Sequence, residues 1–323
     1  MSRYVVLGAG AIGGSVGVRL DRAGREVVLV ARGAHLAAIR TAGLQLLTPD
    51  GAVVARAPAV ESPEQIDRRS DDVVLLCVKS QDTVATLGAW ADWIGEAPVF
   101  CLQNGVANES AALRFVPNVH GACVYLASAF TQPGRVAQFM APMTGVLTLG
   151  RYPGGSEDTD TNLAVDLAAA QFAAPVVPDV MRWKYGKLLR NLANGIDALC
   201  GPAEVDDLLD AVRSEGQAVL AAAGIDYVGD AEDRAARGKL VAVREVPGVN
   251  RGGSSSWQSL ARGTGSIESD WLNGEIVALG REHEVPVPVN AAVQSLARRA
   301  ARDGAAAGSL DPDVLRRAAG LTG

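Results

Sequence analysis

Short apolar runs alternate with helical patterns along the first half of the chain. Residues 4–7, 26–31, 73–78, 99–102 and 121–127 are valine-rich and continuous in apolarity rather than alternating. A strand reads this way when both of its faces are covered, as in a parallel sheet. Between the first two runs, residues 11–23 carry the period of a helix. Repeated strand–helix alternation predicts a doubly wound α/β fold. A polar loop over 151–161, holding Pro153, Gly154 and Gly155, precedes a helix over 162–172 and a short strand over 175–177. From about Val180 the pattern changes to long amphipathic helical stretches, interrupted by a loop over 246–255 and ending in a short helix over 312–323. The expected organisation is a parallel-sheet domain over 1–179 and an all-helical domain over 180–323.

A chain of 323 residues suits two domains, and 48% hydrophobic against 20% charged residues allows a large core. No stretch is long and apolar enough to span a bilayer. The net charge of -6 argues against the basic face of a nucleic-acid binder but not against an anionic ligand, which feels only local charge. Arg3 and the apolar run after it superficially match a signal peptide. That run instead holds glycines at ordered spacing and continues into a globular pattern, so it reads as structure, and the expected location is cytoplasmic. Cys77, Cys101, Cys123 and Cys200 are not spaced as metal ligands, and with only His35, His120 and His283 beside them no metal site is expected. The only lysines among the 30 basic residues are Lys79, Lys184, Lys187 and Lys239. Lysine can give up a proton where arginine cannot, so such a residue set draws attention to chemistry.

The first strand is followed by Gly8-Ala9-Gly10-Ala11-Ile12-Gly13 and then a helix. In this order the first glycine allows a tight turn, the second lets backbone approach a pyrophosphate, and the third permits close helix–strand packing. The helix N-terminus then offers unpaired N–H groups to the phosphates. The motif places a Rossmann dinucleotide site in the N-terminal domain, at Gly8, Gly10, Ala11, Ile12 and Gly13. An acid ending the second strand would bind a ribose 2′-hydroxyl. Here that strand ends Val30-Ala31-Arg32-Gly33, and Arg32 can pair with a 2′-phosphate, so the expected cofactor is NADP.

The chain resembles the ketopantoate reductase family. The resemblance rests on the glycine loop with Arg32, on Cys77-Val78-Lys79, on Gln103-Asn104-Gly105, on residues 183–194 and on residues 255–274. It implies an N-terminal Rossmann domain, a helical C-terminal domain, an active site between them, and NADPH-dependent reduction of a 2-oxo acid. It also implies a catalytic lysine that opens a helix, with an asparagine four residues on, which here are Lys187 and Asn191. Residues so spaced share one helix face, and an ammonium can stabilise and protonate a ketone oxygen as it gains charge. Read from the residues alone, Lys187 is rather an ordinary lysine on an amphipathic helix. By the same resemblance Glu268 is a second catalytic residue, holding substrate and lysine, and Ser256 binds the substrate carboxylate, although Ser254 and Ser255 could serve instead. Lys79 and Asn104 follow strands, where open parallel sheets bind ligands, and match positions beside nicotinamide and substrate.

The chain departs from the family at the substrate end. Gly195 stands where a second asparagine is usual, with Asn194 as the candidate replacement. Residues 200–204 replace a polar turn, Trp257-Gln258-Ser259 a smaller pattern, and Ile267 a threonine. The expectation is a retained reaction and a pocket less polar than ketopantoate requires. Two other readings stand beside the reductase: a dehydrogenase of another hydroxy or imino acid, and a non-catalytic NADPH-binding sensor. The expected partner is a small 2-oxo acid, with neither nucleic acid nor membrane, and a homodimer is compatible with the reading.

Overall fold

The computed structural model describes residues 2–321. The chain forms two compact units. The first takes the chain up to Asn104, then Asn108–Trp183 and Asp230–Arg251; the second takes Gly105–Ala107, Lys184–Gly229 and the chain from Gly252 on.

The first unit is built on strands β1 (Arg3–Leu7), β2 (Glu26–Val30), β3 (Leu44–Thr48), β4 (Gly51–Ala55), β5 (Ala59–Val60), β6 (Asp72–Leu76) and β7 (Val99–Cys101). It continues through β8 (Val119–Tyr125), β9 (Ser128–Gln132), β10 (Arg135–Gln138), β11 (Met140–Pro142), β12 (Gly145–Arg151), β13 (Phe172–Ala173) and β14 (Val241–Val243). Its helices are α1 (Ala11–Arg22), α2 (Gly33–Ala42), α3 (Thr83–Ile94), α4 (Asn108–Ala112), α5 (Asp158–Ala169) and the later α9 (Asp230–Arg237). The main sheet has the order β13-β12-β8-β7-β6-β1-β2-β5. Its pairs from β5 to β8 are parallel, and β12 runs antiparallel to β8. Strand order reverses at β1, between β2 and β6, which makes the carboxyl end of β1 the topological switch point where such sheets bind ligands.

Alternation along each strand sends side chains to two cores. Tyr4, Val6, Leu29 and Leu75 join α1, α5 and a second sheet through Val16, Leu20, Leu163, Leu44 and Val136. Val5, Leu7, Val28 and Leu76 join α3 through Leu87, Trp90 and Ile94. This double burial is why the strands read as continuous apolar runs. The second sheet, ordered β4-β3-β10-β9, packs on the far side of α1. At the amino ends of β1 and β6, the Arg3 guanidinium pairs with the buried Asp72 carboxylate at 2.6 Å (Nε–Oδ1) and 2.9 Å (Nη2–Oδ2).

The second unit is helical among the described residues: α6 (Val180–Asn191), in this unit from Lys184 on, α7 (Ala193–Cys200), α8 (Asp206–Ala222), α10 (Ser255–Ala261), α11 (Asn273–Glu282), α12 (Pro288–Asp303) and α13 (Pro312–Ala318). Ile196, Leu199, Leu208, Val212, Leu220, Ile276 and Val293 are buried there. A polar knot ties the helices. Glu215 of α8 accepts the Val289 and Asn290 N–H groups at the start of α12, at 2.8 and 2.9 Å, a favourable place for a carboxylate. Asn290 donates to the Val212 carbonyl, and Asn273 donates to Asn290 and to the Leu192 carbonyl between α6 and α7.

Several expectations change. Residues 230–251, read as part of the helical half, belong to the first unit because β14 pairs with β11. The strand expected over 175–177 is β13 at Phe172–Ala173 with an isolated bridge at Val176. The terminal helix is Pro312–Ala318, and residues 322–323 of that expectation lie outside the described residues.

Candidate active site

The glycine loop links the carboxyl end of β1 to α1. Gly8 has φ +100°, a left-handed value that favours glycine, and a Cβ there would stand 2.8 Å from Val78 Cγ1. A Cβ on Gly13 would stand 2.2 Å from the Gly8 carbonyl oxygen and 2.8 Å from Cys77 Cβ, so the helix approaches the sheet as closely as backbone allows. Gly10 is different: nothing lies within 4 Å of a Cβ there. Gly10 is also the N-cap of α1, which has no side-chain cap and no acidic residue in its first turn. Open space, uncapped N–H groups and a helix dipole together fit a dinucleotide pyrophosphate, with Ala11 and Ile12 opening the helix behind it. Burial pushes the Cys77 thiol up, so it serves as packing behind the loop rather than as a nucleophile.

Arg32 follows β2 as the N-cap of α2 and is exposed; no acid stands at the strand end. Lys79 and Asn104, both half-buried, follow β6 and β7. Their two loops share a frame that the sequence did not reveal. Gln103 Nε2 donates to the Val78 carbonyl and to Thr83 Oγ1, each at 2.8 Å. Thr83 donates to Asn108 Oδ1 at 2.9 Å, and Asn108 Nδ2 donates to the Asn104 carbonyl at 2.8 Å and to Ser80 Oγ at 3.2 Å. Each donor meets an acceptor, so the network fixes both strand-end loops. Only the spacing of Asn104 and Asn108 hints at it.

The other candidates lie in the helical unit. Lys187 and Asn191 sit one turn apart on α6. The helix begins at Val180, however, so Lys187 lies well inside it rather than opening it. Lys184, one turn earlier, is buried. Glu268 begins a short 3-10 segment, Glu268–Trp271, and is 3% exposed. Arg262 is exposed and lies close enough to Glu268 for the two charges to interact.

The three serines separate cleanly. Ser254 caps α10: its Oγ accepts the Trp257 N–H at 3.2 Å and donates to the Asn194 carbonyl at 3.3 Å, while its own N–H donates to Asp197 Oδ2 at 2.7 Å. Ser255 opens the helix. Ser256 is 2% exposed, and its hydroxyl takes no hydrogen bond among the described residues. A buried hydroxyl without a partner is costly unless a ligand satisfies it, which singles out Ser256.

Two departures from the family have packing reasons. A Cβ on Gly195 would stand 2.4 Å from Val293 Cγ1 and 3.1 Å from Asn273 Oδ1, so this position faces α11 and α12 and has no room for a side chain. The Trp257 ring lies where side chains of Gly252 and Gly253 would stand, 2.2 and 2.8 Å from their Cβ positions, so its bulk is spent on that loop. Neither residue is evidence for a less polar pocket. The structure thus gathers Gly8, Gly10, Ala11, Ile12, Gly13, Arg32, Lys79 and Asn104 at the carboxyl ends of β1, β2, β6 and β7. Lys187, Asn191, Asn194, Ser256 and Glu268 fall in the second unit.

No helix among the described residues is long and apolar enough to cross a membrane. The family model described as "Ketopantoate reductase PanE/ApbA" matches residues 4–154, and its C-terminal counterpart matches residues 179–301. The chain is 30% identical to 2-dehydropantoate 2-reductase of Halobacterium salinarum, covering 94% of this chain and 100% of that one. It is also 30% identical to that of Mesorhizobium japonicum, with 93% and 98% covered. A PanE/ApbA family ketopantoate reductase from Ralstonia eutropha matches in structure with TM-score 0.78 and 31% identity, covering 94% of this chain and 99% of that one. D-mandelate dehydrogenase with NADH and anilino(oxo)acetate matches in fold with TM-score 0.80 at 23% identity, covering 94% and 99%. Two family matches spanning both units, together with relatives aligned nearly end to end, establish that the chain belongs to the ketopantoate reductase family, nicotinamide-dependent oxidoreductases acting on a ketone.

Proposed function

We propose that this chain reduces ketopantoate to pantoate with NADPH, Lys187 supplying the proton. The observation that carries the cofactor assignment is the end of β2, where exposed Arg32 stands beside the open glycine loop and no acid is present. Relatives named 2-dehydropantoate 2-reductase over nearly the whole chain support the substrate.

Gly8, Gly10, Ala11, Ile12 and Gly13 would hold the pyrophosphate and Arg32 the 2′-phosphate. Bound there, the dinucleotide supplies a hydride to the ketone carbon. The ketone oxygen gains negative charge as this happens, and Lys187 Nζ holds the proton that it takes up. Asn191, one turn further along α6, offers its amide to the same substrate, with Asn194 as a further polar contact. The Ser256 hydroxyl, without a partner among the described residues, donates to the substrate carboxylate, and Lys79, following β6, supplies positive charge to substrate recognition. Glu268, buried near the Arg262 charge, orients substrate and lysine. Asn104 is held beside the nicotinamide end by the Asn108 frame.

Affinities of NADPH and NADH for the intact protein and for Arg32→Ala test this reading. One guanidinium–phosphate contact is worth about 1.5–3 kcal/mol, or roughly tenfold and more in affinity. NADPH should bind at least that much better, and Arg32→Ala should close the gap by weakening NADPH. Equal affinities in the intact protein would overturn the cofactor assignment.

A further inference from the structure

His35 is the third residue of α2 and is half-buried between two backbone groups. Its Nε2 lies 2.7 Å from the Ala9 carbonyl oxygen, and its Nδ1 accepts the Gly134 N–H at 2.9 Å. Phe130 of β9 packs edge-on against the ring, 4.9 Å between centroids. A backbone N–H can only donate, so Nδ1 is the bare nitrogen and Nε2 carries the proton. Ala9 is the second residue of the glycine loop. Its carbonyl shares a planar trans peptide with the Gly10 N–H, and the two point in opposite directions. Holding the carbonyl on His35 therefore aims the Gly10 N–H away from α2. Gly10 is the loop position with open space above it.

We propose that His35 is a positioning residue for the dinucleotide: as the neutral Nε2–H tautomer it fixes the Ala9 carbonyl and so presents the Gly10 N–H to the pyrophosphate. A proton on Nδ1 would face the Gly134 N–H, donor against donor, and release the ring. The groups around the ring are the Ala9 carbonyl from the loop after β1, the Gly134 N–H from the β9–β10 turn and the Phe130 ring. None is charged, and Arg32 on the same helix and Arg135 beside Gly134 are both exposed. Burial holds the His35 pKa below its ordinary value, which keeps the neutral form present at neutral pH.

The proposal rests on dinucleotide binding at this loop. The test is calorimetric titration of NADPH, and separately of NADH, into the intact protein, His35→Gln and His35→Asn. Glutamine Nε2 reaches as far as the histidine Nε2 and keeps the donor to Ala9. Asparagine Oδ1 reaches only as far as Nδ1 and keeps the acceptor for Gly134. His35→Gln should bind both dinucleotides within about twofold of the intact protein, and His35→Asn about three- to tenfold more weakly, the range for one net hydrogen bond. With NADH, which lacks a titrating 2′-phosphate, the intact protein should lose affinity from about pH 7.5 to about pH 5, and His35→Gln should not. The reverse ranking, or an equal pH response in both, overturns the proposal. An intact protein that binds neither dinucleotide overturns the cofactor reading and this proposal with it. Should His35→Asn fail to fold, the pH comparison with His35→Gln decides alone.

Discussion

Replacing Gly10 and Gly13 by alanine separates what the glycine loop needs in order to fold from what it needs in order to bind. A Cβ on Gly13 lands 2.2 Å from a backbone oxygen and 2.8 Å from both Cys77 Cβ and Val6 Cγ1. That is about 1 Å short of ordinary contact. The obstructing atoms include backbone and the buried Val6 side chain rather than the far end of a flexible chain. Overpacking of this kind costs about 1–3 kcal/mol, and at about 2–4 °C per kcal/mol Gly13→Ala should unfold roughly 2–12 °C lower. Gly10 has φ −76°, which alanine adopts readily, and open space around it. Gly10→Ala should therefore stay within about 3 °C of the intact protein, since only part of an N-cap preference is at stake. If Gly10 meets the pyrophosphate as proposed, its methyl group nevertheless blocks that approach, and losing one charge-assisted hydrogen bond of about 1.5–3 kcal/mol weakens binding about 10- to 150-fold. Thermal melts without ligand and calorimetric titration with NADPH read the two effects independently. Gly10→Ala binding as tightly as the intact protein, or Gly13→Ala melting at the same temperature, would refute the reasoning.

Lys187→Ala should lower kcat about 10²–10⁴-fold and leave NADPH affinity unchanged, and Lys187→Arg should not restore turnover because arginine keeps its proton; near-normal steady-state rates in the arginine variant would show that no proton is transferred from this position. Gly195→Asn should destabilise the protein by about 1–3 kcal/mol by overpacking against Val293, without improving turnover of ketopantoate; a variant with an unchanged melt and faster turnover would return Gly195 to the pocket. His35 takes up its proton at lower pH in the folded chain than in the unfolded one. The unfolded chain therefore gains protons first as pH falls below about 6.5, and the intact protein should lose stability relative to His35→Gln over that window, read from denaturant melts at several pH values. A difference that stays constant from neutral to acid pH contradicts this.

What could be read in the sequence follows from what each element depends on. β1, β2, β6, β7 and β8 were legible because burial on both faces leaves a continuous apolar run that no distant partner needs to explain. The second sheet was not. β4 is largely exposed, and β3 pairs in parallel with β10 across some ninety residues, Leu46 opposite Val136. β14 is three residues long and becomes a strand only through its pairing with β11. The glycine loop was legible because its turn and close packing depend on local spacing, while the proposed roles of Arg32 and Lys187 rest on the strand end and on resemblance. Ser80, Thr83, Asn108 and His35 were not legible, since each meets partners brought near by the fold. Gly195 and Trp257 were misread for the same reason: a residue that departs from a family at a substrate position looks functional until the packing partner is seen.

The most direct test of the account is the rate of NADPH oxidation by the intact protein with ketopantoate, set against branched and aromatic 2-oxo acids under identical conditions. Gly195 and Trp257, two of the departures that pointed to a less polar pocket, are committed to packing, and Asn191, Ser256 and Lys187 are the proposed partners for carboxylate and ketone. The account predicts the highest kcat/KM for ketopantoate. An aromatic 2-oxo acid preferred by a factor of ten or more, about 1.4 kcal/mol in transition-state binding, would contradict it.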